Sequence, residues 1–103
     1  MVKAKIVEKN NKINSFVING HAEGGDYGHD LVCAAITGIV TGSLNAFDIQ
    51  FKSNVEIDVK ENEISIKIVK DDELLNNLLE FMLIQLETIQ VQYPKNFKIE
   101  RMI

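Results

Sequence analysis

Residues 55–68 read VEIDVKENEISIKI. Apolar side chains alternate with charged or polar ones on both sides of a turn at Glu61 and Asn62, and this period of two is typical of strands with one buried face. The stretch therefore predicts a β-hairpin with one apolar side. The residues expected on that side are Val55, Ile57, Val59, Ile64, Ile66 and Ile68.

The same alternation occurs near both ends of the chain. Before Asn10 and Asn11 the apolar positions are Val2, Ala4 and Ile6, and after them the period resumes at Phe16 and Ile18. These residues predict a first hairpin, and a last short strand is expected from Phe97 to Arg101. One-sided alternation throughout favours an antiparallel sheet of about five strands with one covered face.

Two helices are expected to cover that face. Asp30 precedes an apolar run and predicts the N-cap of a helix from Leu31 to about Phe47, since its carboxylate can accept from backbone N–H groups of the first turn. Apolar residues at helical spacing predict a second helix from Asp71 to Tyr93, ended by Pro94. The prediction is one α+β domain, residues 1–103, with the order ββαββαβ and both helices on one face of the sheet.

The apolar surfaces of both helices extend beyond what a sheet would cover. Small residues recur every four positions at Ala34, Gly38, Gly42 and Ala46. An interior helical glycine costs about 1 kcal/mol relative to alanine, so we expect something to pack closely on this face. The second helix carries additional apolar residues at Leu74, Phe81, Leu83 and Ile84. This excess predicts a homodimer.

Composition excludes several classes of protein. The chain is 46% hydrophobic and 25% charged, with a formal net charge of −4 at pH 7. An acidic balance argues against direct nucleic-acid binding, which normally requires a basic face. The N-terminus lacks the pattern of a signal peptide, and polar residues interrupt the apolar stretches before the roughly 20 residues that cross a bilayer. We therefore expect a cytoplasmic protein without a membrane segment.

The residues with catalytic potential are concentrated between the second strand and the first helix. Four of the six glycines, Gly20, Gly24, Gly25 and Gly28, fall there, together with both histidines, His21 and His29. The only cysteine, Cys33, follows directly. Glycines in such density indicate unusual backbone angles or motion.

This arrangement is typical of nucleophilic catalysis. At the third position of the predicted helix, Cys33 would feel the positive end of the helix dipole, which lowers the pKa of a thiol. A nearby imidazole can stabilise the thiolate and later protonate a leaving amine. Backbone N–H groups of the same helix end, including that of Cys33, could stabilise an oxyanion.

Other interpretations of these residues remain open. A lone cysteine is often a small buried hydrophobe. His21, His29 and Cys33 could bind a metal, but no CxxC or HxxxH spacing fixes a geometry, so we expect no metal and no cofactor. A thiol-based redox or metal sensor lacks a resolving cysteine and a ligand set.

Several neighbouring residues have two interpretations each. Asp30 could cap the helix or bind His21, and Thr37, one turn after Cys33, could support the site or be an ordinary helix residue. Tyr27 could contact a substrate or simply pack within the loop. His29, one residue before the predicted cap, is interpreted as a solvated bystander.

The run GHAEGGDYGHDLVCAA, residues 20–35, resembles the signature of the bacterial ribosomal-processing cysteine proteases, the Prp family. The GHA triplet and the GxDxVCA block carry the resemblance, and chain length and element order agree with it. The resemblance implies that His21 and Cys33 are the catalytic dyad and that Asp30 is the motif aspartate. Thr37 stands where the family has a serine, which keeps the hydroxyl and adds a methyl group.

The resemblance also implies a substrate. It is the precursor of the twenty-seventh large-subunit ribosomal protein, from which an N-terminal extension, apolar and aromatic near the cut, is removed. From the glycines we expect the loop from Gly20 to Gly28, with Tyr27, to act as a gate that places His21 against Cys33 when substrate arrives. The alternative is a non-catalytic, ribosome-associated peptide-binding module, which would not need the thiol of Cys33.

Overall fold

A computed structural model describes residues 1–20 and 27–102, with residues 27–30 described only as part of a helix. The elements are β1 (Val2–Lys9), β2 (Lys12–Asn19), α1 (Tyr27–Gln50), β3 (Val55–Val59), β4 (Glu63–Ile68), α2 (Glu73–Gln92) and β5 (Phe97–Met102), with a short 3₁₀ turn at Lys52–Asn54. The predicted order ββαββαβ is confirmed.

The five strands form one sheet in the spatial order β3-β4-β2-β1-β5. The β1–β2, β2–β4 and β3–β4 pairs are antiparallel, as the alternation predicted. β5 instead runs parallel to β1, with Val2 opposite Phe97. The sheet is therefore mixed rather than wholly antiparallel, because α2 crosses over the sheet and returns the chain to the far side of β1 in the direction of β1.

A tight turn joins β1 to β2. Asn10 and Asn11 have φ values of 53° and 64°, and two left-handed residues in succession form the hairpin turn whose twist matches that of the strands. Asparagine tolerates this region better than most residues with a Cβ atom. The turn fixes the register in which Ile6 lies opposite Phe16.

Alternate strand residues and one side of each helix form the core. The largest fully buried side chains include Phe16 and Phe97 from the sheet and Ile36, Leu79 and Leu86 from the helices. On the outer face of the sheet, Lys5, Glu56 and Lys67 are exposed. Both helices therefore cover one face of the sheet, as predicted, with α1 over β3 and α2 over β2 and β5.

The second helix begins and ends within two residues of its predicted bounds. Asp72 is its N-cap, and the side-chain carboxylate accepts a hydrogen bond of 2.9 Å from the backbone N–H of Leu75. Of the apolar residues expected to extend its surface, Leu83 is buried in the core. Leu74, Phe81 and Ile84 are 60%, 66% and 56% exposed, so the excess apolar surface is confirmed for these three.

The first helix is longer than predicted at both ends. It begins at Tyr27 rather than Leu31 and ends at Gln50, so the prediction that Asp30 is the N-cap is wrong. An acidic residue is favoured in the first turn of a helix as well as at the cap, and sequence alone does not separate the two positions.

The small-residue face of α1 is exposed. Apart from the backbone of α1 itself, no atom of the described residues lies within 4 Å of a Cβ built on Gly38 or Gly42. The close packing expected on this face is therefore not seen among the described residues and stays a prediction.

Arg101 ties the edge strand β5 to its surroundings. Its guanidinium donates a hydrogen bond to Glu8 of β1 and lies 3.7 Å from a carboxylate oxygen of Glu80 and 4.0 Å from one of Glu87, both on α2. The bond to Glu8 raises the pKa of Arg101 above its ordinary value. The cation therefore persists at every pH at which the protein would be studied.

Candidate active site

Gly20 directly follows the last residue of β2. Its φ is +83°, and a Cβ atom built there would lie 2.5 Å from the carbonyl oxygen of Met1. A side chain would therefore meet both backbone strain and a backbone clash. Gly20 is a tightly packed position, and a part for it in a moving loop stays a prediction.

Cys33 lies in the second turn of α1, on the side that faces the core. It is 7% exposed and belongs to the same cluster of buried residues as Ile36 and Val40. Burial alone fits the small-hydrophobe interpretation as well as the catalytic one.

The longer helix changes the predicted surroundings of the thiol. Cys33 is the seventh residue of α1, whereas only the first four N–H groups of a helix lack an intrahelical acceptor. The prediction that the N–H of Cys33 serves an oxyanion is therefore wrong, and the dipole effect, concentrated in the first turn, reaches Cys33 only weakly.

Thr37 lies one turn beyond Cys33 and is half-buried. Residues four apart on a helix share a side, so Thr37 borders the surface on which Cys33 lies. This position is compatible with the supporting role, and the role itself stays a prediction.

Most of the glycine-rich loop lies outside the described residues. His21, Gly24 and Gly25 are among these, so the structure does not test the predicted approach of His21 to Cys33. Tyr27, Gly28, His29 and Asp30 are described only as residues of the first turn of α1. Their proposed roles likewise stay predictions.

The structure reveals a groove that sequence reasoning missed, which we call the α1–β3 groove. It has a volume of about 340 Å³, with Leu44, Ile57, Val59 and Ile64 on its floor and Thr41, Asn45 and Asp48 along its helical rim. A signal existed in the sequence, since Thr37, Thr41 and Asp48 recur at spacings of four and seven and so share one side of a helix. It was missed because polar residues at helical spacing are equally typical of a solvated face.

Among the described residues, no group of three or more His, Cys, Asp or Glu side chains could hold a metal ion. The metal alternative of the sequence analysis involves His21 and the side chain of His29, neither of which the structure describes. It therefore stays untested.

Among the described residues, one helix is long and apolar enough to cross a membrane by length and composition alone. The segment Leu31–Gln50 has a mean hydropathy of 1.5, and 33% of it is buried inside the molecule. The expectation that the protein has no membrane segment stays a prediction. The finding is weak evidence for a membrane span, because a helix that packs on a core passes the same test and α1 buries Ile36, Val40 and Phe47.

Comparison with known proteins places this chain and its fold in a family. The family model described as Cysteine protease Prp matches residues 1–98. A ribosomal processing cysteine protease Prp of Staphylococcus aureus is 32% identical over 98 residues, which cover 90% of this chain and 91% of that protein.

Two solved structures of the Staphylococcus aureus protease have the same fold. The structure with a substrate peptide has a TM-score of 0.89 and 28% identity, and covers 98% of this chain and 99% of that chain. The structure with a covalently linked product peptide has a TM-score of 0.86, with the same identity and coverage. In that relative, the enzyme and a peptide product therefore become covalently joined.

Proposed function

The chain belongs to the Prp family of ribosomal-processing cysteine proteases, and from this premise we propose that it removes the N-terminal extension from the precursor of the twenty-seventh large-subunit ribosomal protein. The observation that carries the proposal is the family match across residues 1–98, which includes the chain's only cysteine. A covalently linked product in a relative of the same fold supports a thiol nucleophile. Such an enzyme acts in the cytoplasm, where ribosomes assemble.

Cys33 and His21 divide the chemistry between them. The Cys33 thiolate attacks the carbonyl carbon of the scissile bond, and the resulting tetrahedral intermediate collapses to a thioester as protonated His21 gives its proton to the leaving amine. Neutral His21 then takes a proton from water, whose oxygen attacks the thioester. The acid product leaves, and the thiolate is regenerated with His21 again protonated. No metal or organic cofactor takes part.

Three further positions support this dyad. Asp30 lies in the first turn of α1, three residues before Cys33. Thr37 borders the nucleophile on the groove side of α1. The segment from Gly20 to Gly28, which includes Tyr27, closes over the peptide and brings His21 to the thiol.

The two histidines provide a matched test of the dyad. A synthetic peptide spanning the extension of the precursor is incubated with the wild-type protein and with the variants Cys33→Ala, His21→Ala and His29→Ala, and the products are identified by mass spectrometry. We expect one cut in the wild type, a loss of rate of at least about 1,000-fold in Cys33→Ala and His21→Ala, and near-normal cleavage in His29→Ala.

The outcomes separate the proposed peptidase from the alternative functions. Treatment of the wild type with a thiol alkylator should abolish cleavage. Cleavage that persists in Cys33→Ala would contradict the mechanism. Binding of the peptide by the wild type without any cut would instead favour the non-catalytic peptide-binding module.

We also propose that the protein is a homodimer joined through the exposed apolar surface of its two helices. Ala46 of α1 and Leu78 and Phe81 of α2 border one apolar cavity between the helices, and the open face at Gly38 and Gly42 adjoins it. Helices approach each other closely where side chains are small. A second copy packed on this surface would offset the helical instability that the glycines cause.

A further inference from the structure

Positive charge is distributed unevenly between the two layers of the molecule. The chain contains 11 lysine and arginine residues, and none of them lies in α1 or α2. All of them therefore lie in the strands and in the segments that connect the elements. The formal net charge of −4 is the sum over two layers that differ in charge, so it does not describe the sheet side of the molecule.

Three lysines lie together on the outer face of the sheet, towards its β5 edge, and we call them the outer lysine cluster. Ala4 and Phe97 are buried under the helices. Their strand neighbours Lys3, Lys5 and Lys98 therefore point to the opposite face, and all three are exposed. Lys3 lies opposite Lys98 in the register of β1 and β5, and neighbouring strands are about 4.8 Å apart. Lys5 follows Lys3 on the same face after a rise of about 6.6 Å.

The outer lysine cluster has no acidic partner among the described residues. Lys3, Lys5 and Lys98 form no ion pair there, although Glu100 lies opposite Lys5 in the register of β1 and β5. Two like charges on adjacent positions of neighbouring strands repel each other. An anion bound between Lys3 and Lys98 would replace this repulsion with two attractions.

A depression at the cluster has space for an anionic group. It has a volume of about 200 Å³ and lies between β1, β2 and β5, where its lining includes Lys3, Lys5, Val17, Asn19 and Glu100. The side chains of β2 are short here, and the longer lysine side chains of β1 rise beside them. The amide nitrogen of Asn19 can donate hydrogen bonds, so cations and a neutral donor lie at one place.

The chemistry of this face favours a phosphate backbone over other anionic partners. Among the residues that line the depression, Val17 is the only apolar one larger than alanine, and none is aromatic. A protein partner normally contacts an apolar or aromatic core, and a lipid surface is bound by apolar side chains that enter it. The phosphates of a nucleic acid form a row of anions, which suits a row of lysines and needs neither feature.

We propose that the outer lysine cluster binds the sugar–phosphate backbone of RNA, with its three lysines on phosphate oxygens and the amide of Asn19 donating to a phosphate or ribose oxygen. Recognition is independent of base sequence, because phosphates carry no sequence information and no aromatic side chain is present for a base to stack on. The choice of RNA rests on the proposed function, since a ribosomal protein assembles on RNA. The proposal departs from the expectation drawn from overall charge, because binding depends on the charge of one face.

The salt dependence of binding tests the proposal. The affinity of the wild-type protein for a fluorescent duplex RNA of about 16 base pairs is measured by fluorescence anisotropy between about 50 and 200 mM salt. Each neutralised phosphate contributes about 0.7 to 0.9 to the slope of log affinity against log salt, so three lysines predict a slope of about −2 to −3. Affinity should therefore fall about 20- to 40-fold over this range. Duplexes of different sequence should bind equally well.

Matched variants locate the bound RNA on this face. Lys5→Gln and Lys98→Gln should each reduce the magnitude of the slope by about one and weaken binding about two- to fivefold. Glu100→Gln should strengthen binding, because it removes the carboxylate beside the phosphates. Lys52→Gln makes the same change of charge at an exposed residue next to β3, the other edge of the sheet, and should leave the slope unaltered. Circular dichroism of all variants checks that the fold persists.

RNA binding and peptide cleavage are measured separately, so that the two proposals can fail independently. Absence of RNA binding by the wild type, or a slope that persists when Lys5 and Lys98 are both replaced by Gln, would overturn the assignment of the cluster and leave the peptidase intact. Binding to vesicles of anionic phospholipid but not to RNA would also overturn it. Cluster-dependent RNA binding by a wild-type protein that cuts no peptide would support the cluster and overturn the peptidase.

Discussion

At the scale of single residues, the end of β2 carries the strongest local constraint next to the candidate site. Gly20 combines a φ of +83° with the backbone of Met1 at a distance that excludes a Cβ atom. The backbone of the first two residues of the chain therefore packs directly against Gly20. The part of Gly20 in a moving loop stays a prediction.

We expect Gly20→Ala to lower the free energy of unfolding by about 3 kcal/mol. A left-handed conformation costs a residue with a Cβ atom about 1–2 kcal/mol, and the new methyl group would also push the backbone of Met1 out of place. Urea denaturation followed by circular dichroism measures this change. Asn11→Ala is the matched control, since φ is also positive there, at 64°, but the position lies in an exposed turn and should lose only about 1 kcal/mol. Equal losses in the two variants would show that Met1 does not press on Gly20.

At the scale of elements, the N-terminus of α2 has a defined cap. The carboxylate of Asp72 accepts a hydrogen bond from the backbone N–H of Leu75. The neighbouring Asp71 is exposed, and its carboxylate forms a long ion pair of 3.8 Å with the amine of Lys12. We expect Asp72→Ala to reduce stability by about 1 kcal/mol and Asp71→Ala by less than about 0.5 kcal/mol. Thermal unfolding of both variants distinguishes them, and a larger effect of Asp71→Ala would contradict the assigned cap.

Helices and strands could be predicted from the sequence where their apolar residues follow a single clear spacing. The hairpin β3–β4 and the helix α2 follow from their alternation and their spacing, and Pro94 stops α2 because proline cannot continue a helix. The start of α1 could not be located in this way, since Asp30 is equally suitable for a cap and for a first turn. The direction of β5 depends on the path of α2 over the sheet, which no local pattern of Phe97 to Arg101 encodes.

The sequence predicts some parts of the candidate site and not others, for the same reason. Cys33 and His21 stood out because a lone thiol and an imidazole near a helix start have a recognisable chemistry. The α1–β3 groove is formed by side chains of α1, β3 and β4 that come together only in the folded protein. The sequence pattern of each element alone does not predict that contact. The helical spacing of Asp48 from Thr37 and Thr41 is the feature of the sequence that indicates the groove.

At the scale of the whole molecule, α1 borders two different surfaces. The side bordering β3 forms the groove, and the opposite edge, with Ala46, borders α2 and the exposed Phe81. A dimer formed through the second surface would leave the groove of each copy open. Mutations in the second surface should therefore change the oligomeric state without altering the groove.

Phe81 and Val91 provide the matched pair for this test, because both lie on α2 and are 66% and 81% exposed. We expect light scattering of the wild type at micromolar concentration to give the mass of two chains and Phe81→Glu to give one, since a carboxylate there would be buried without a partner. Val91→Glu should remain dimeric, because Val91 lies ten residues from Phe81, near the C-terminal end of α2, and does not border the cavity between the helices. A wild-type protein that is monomeric throughout this range would contradict the homodimer, and a dimer that survives Phe81→Glu would place the interface elsewhere.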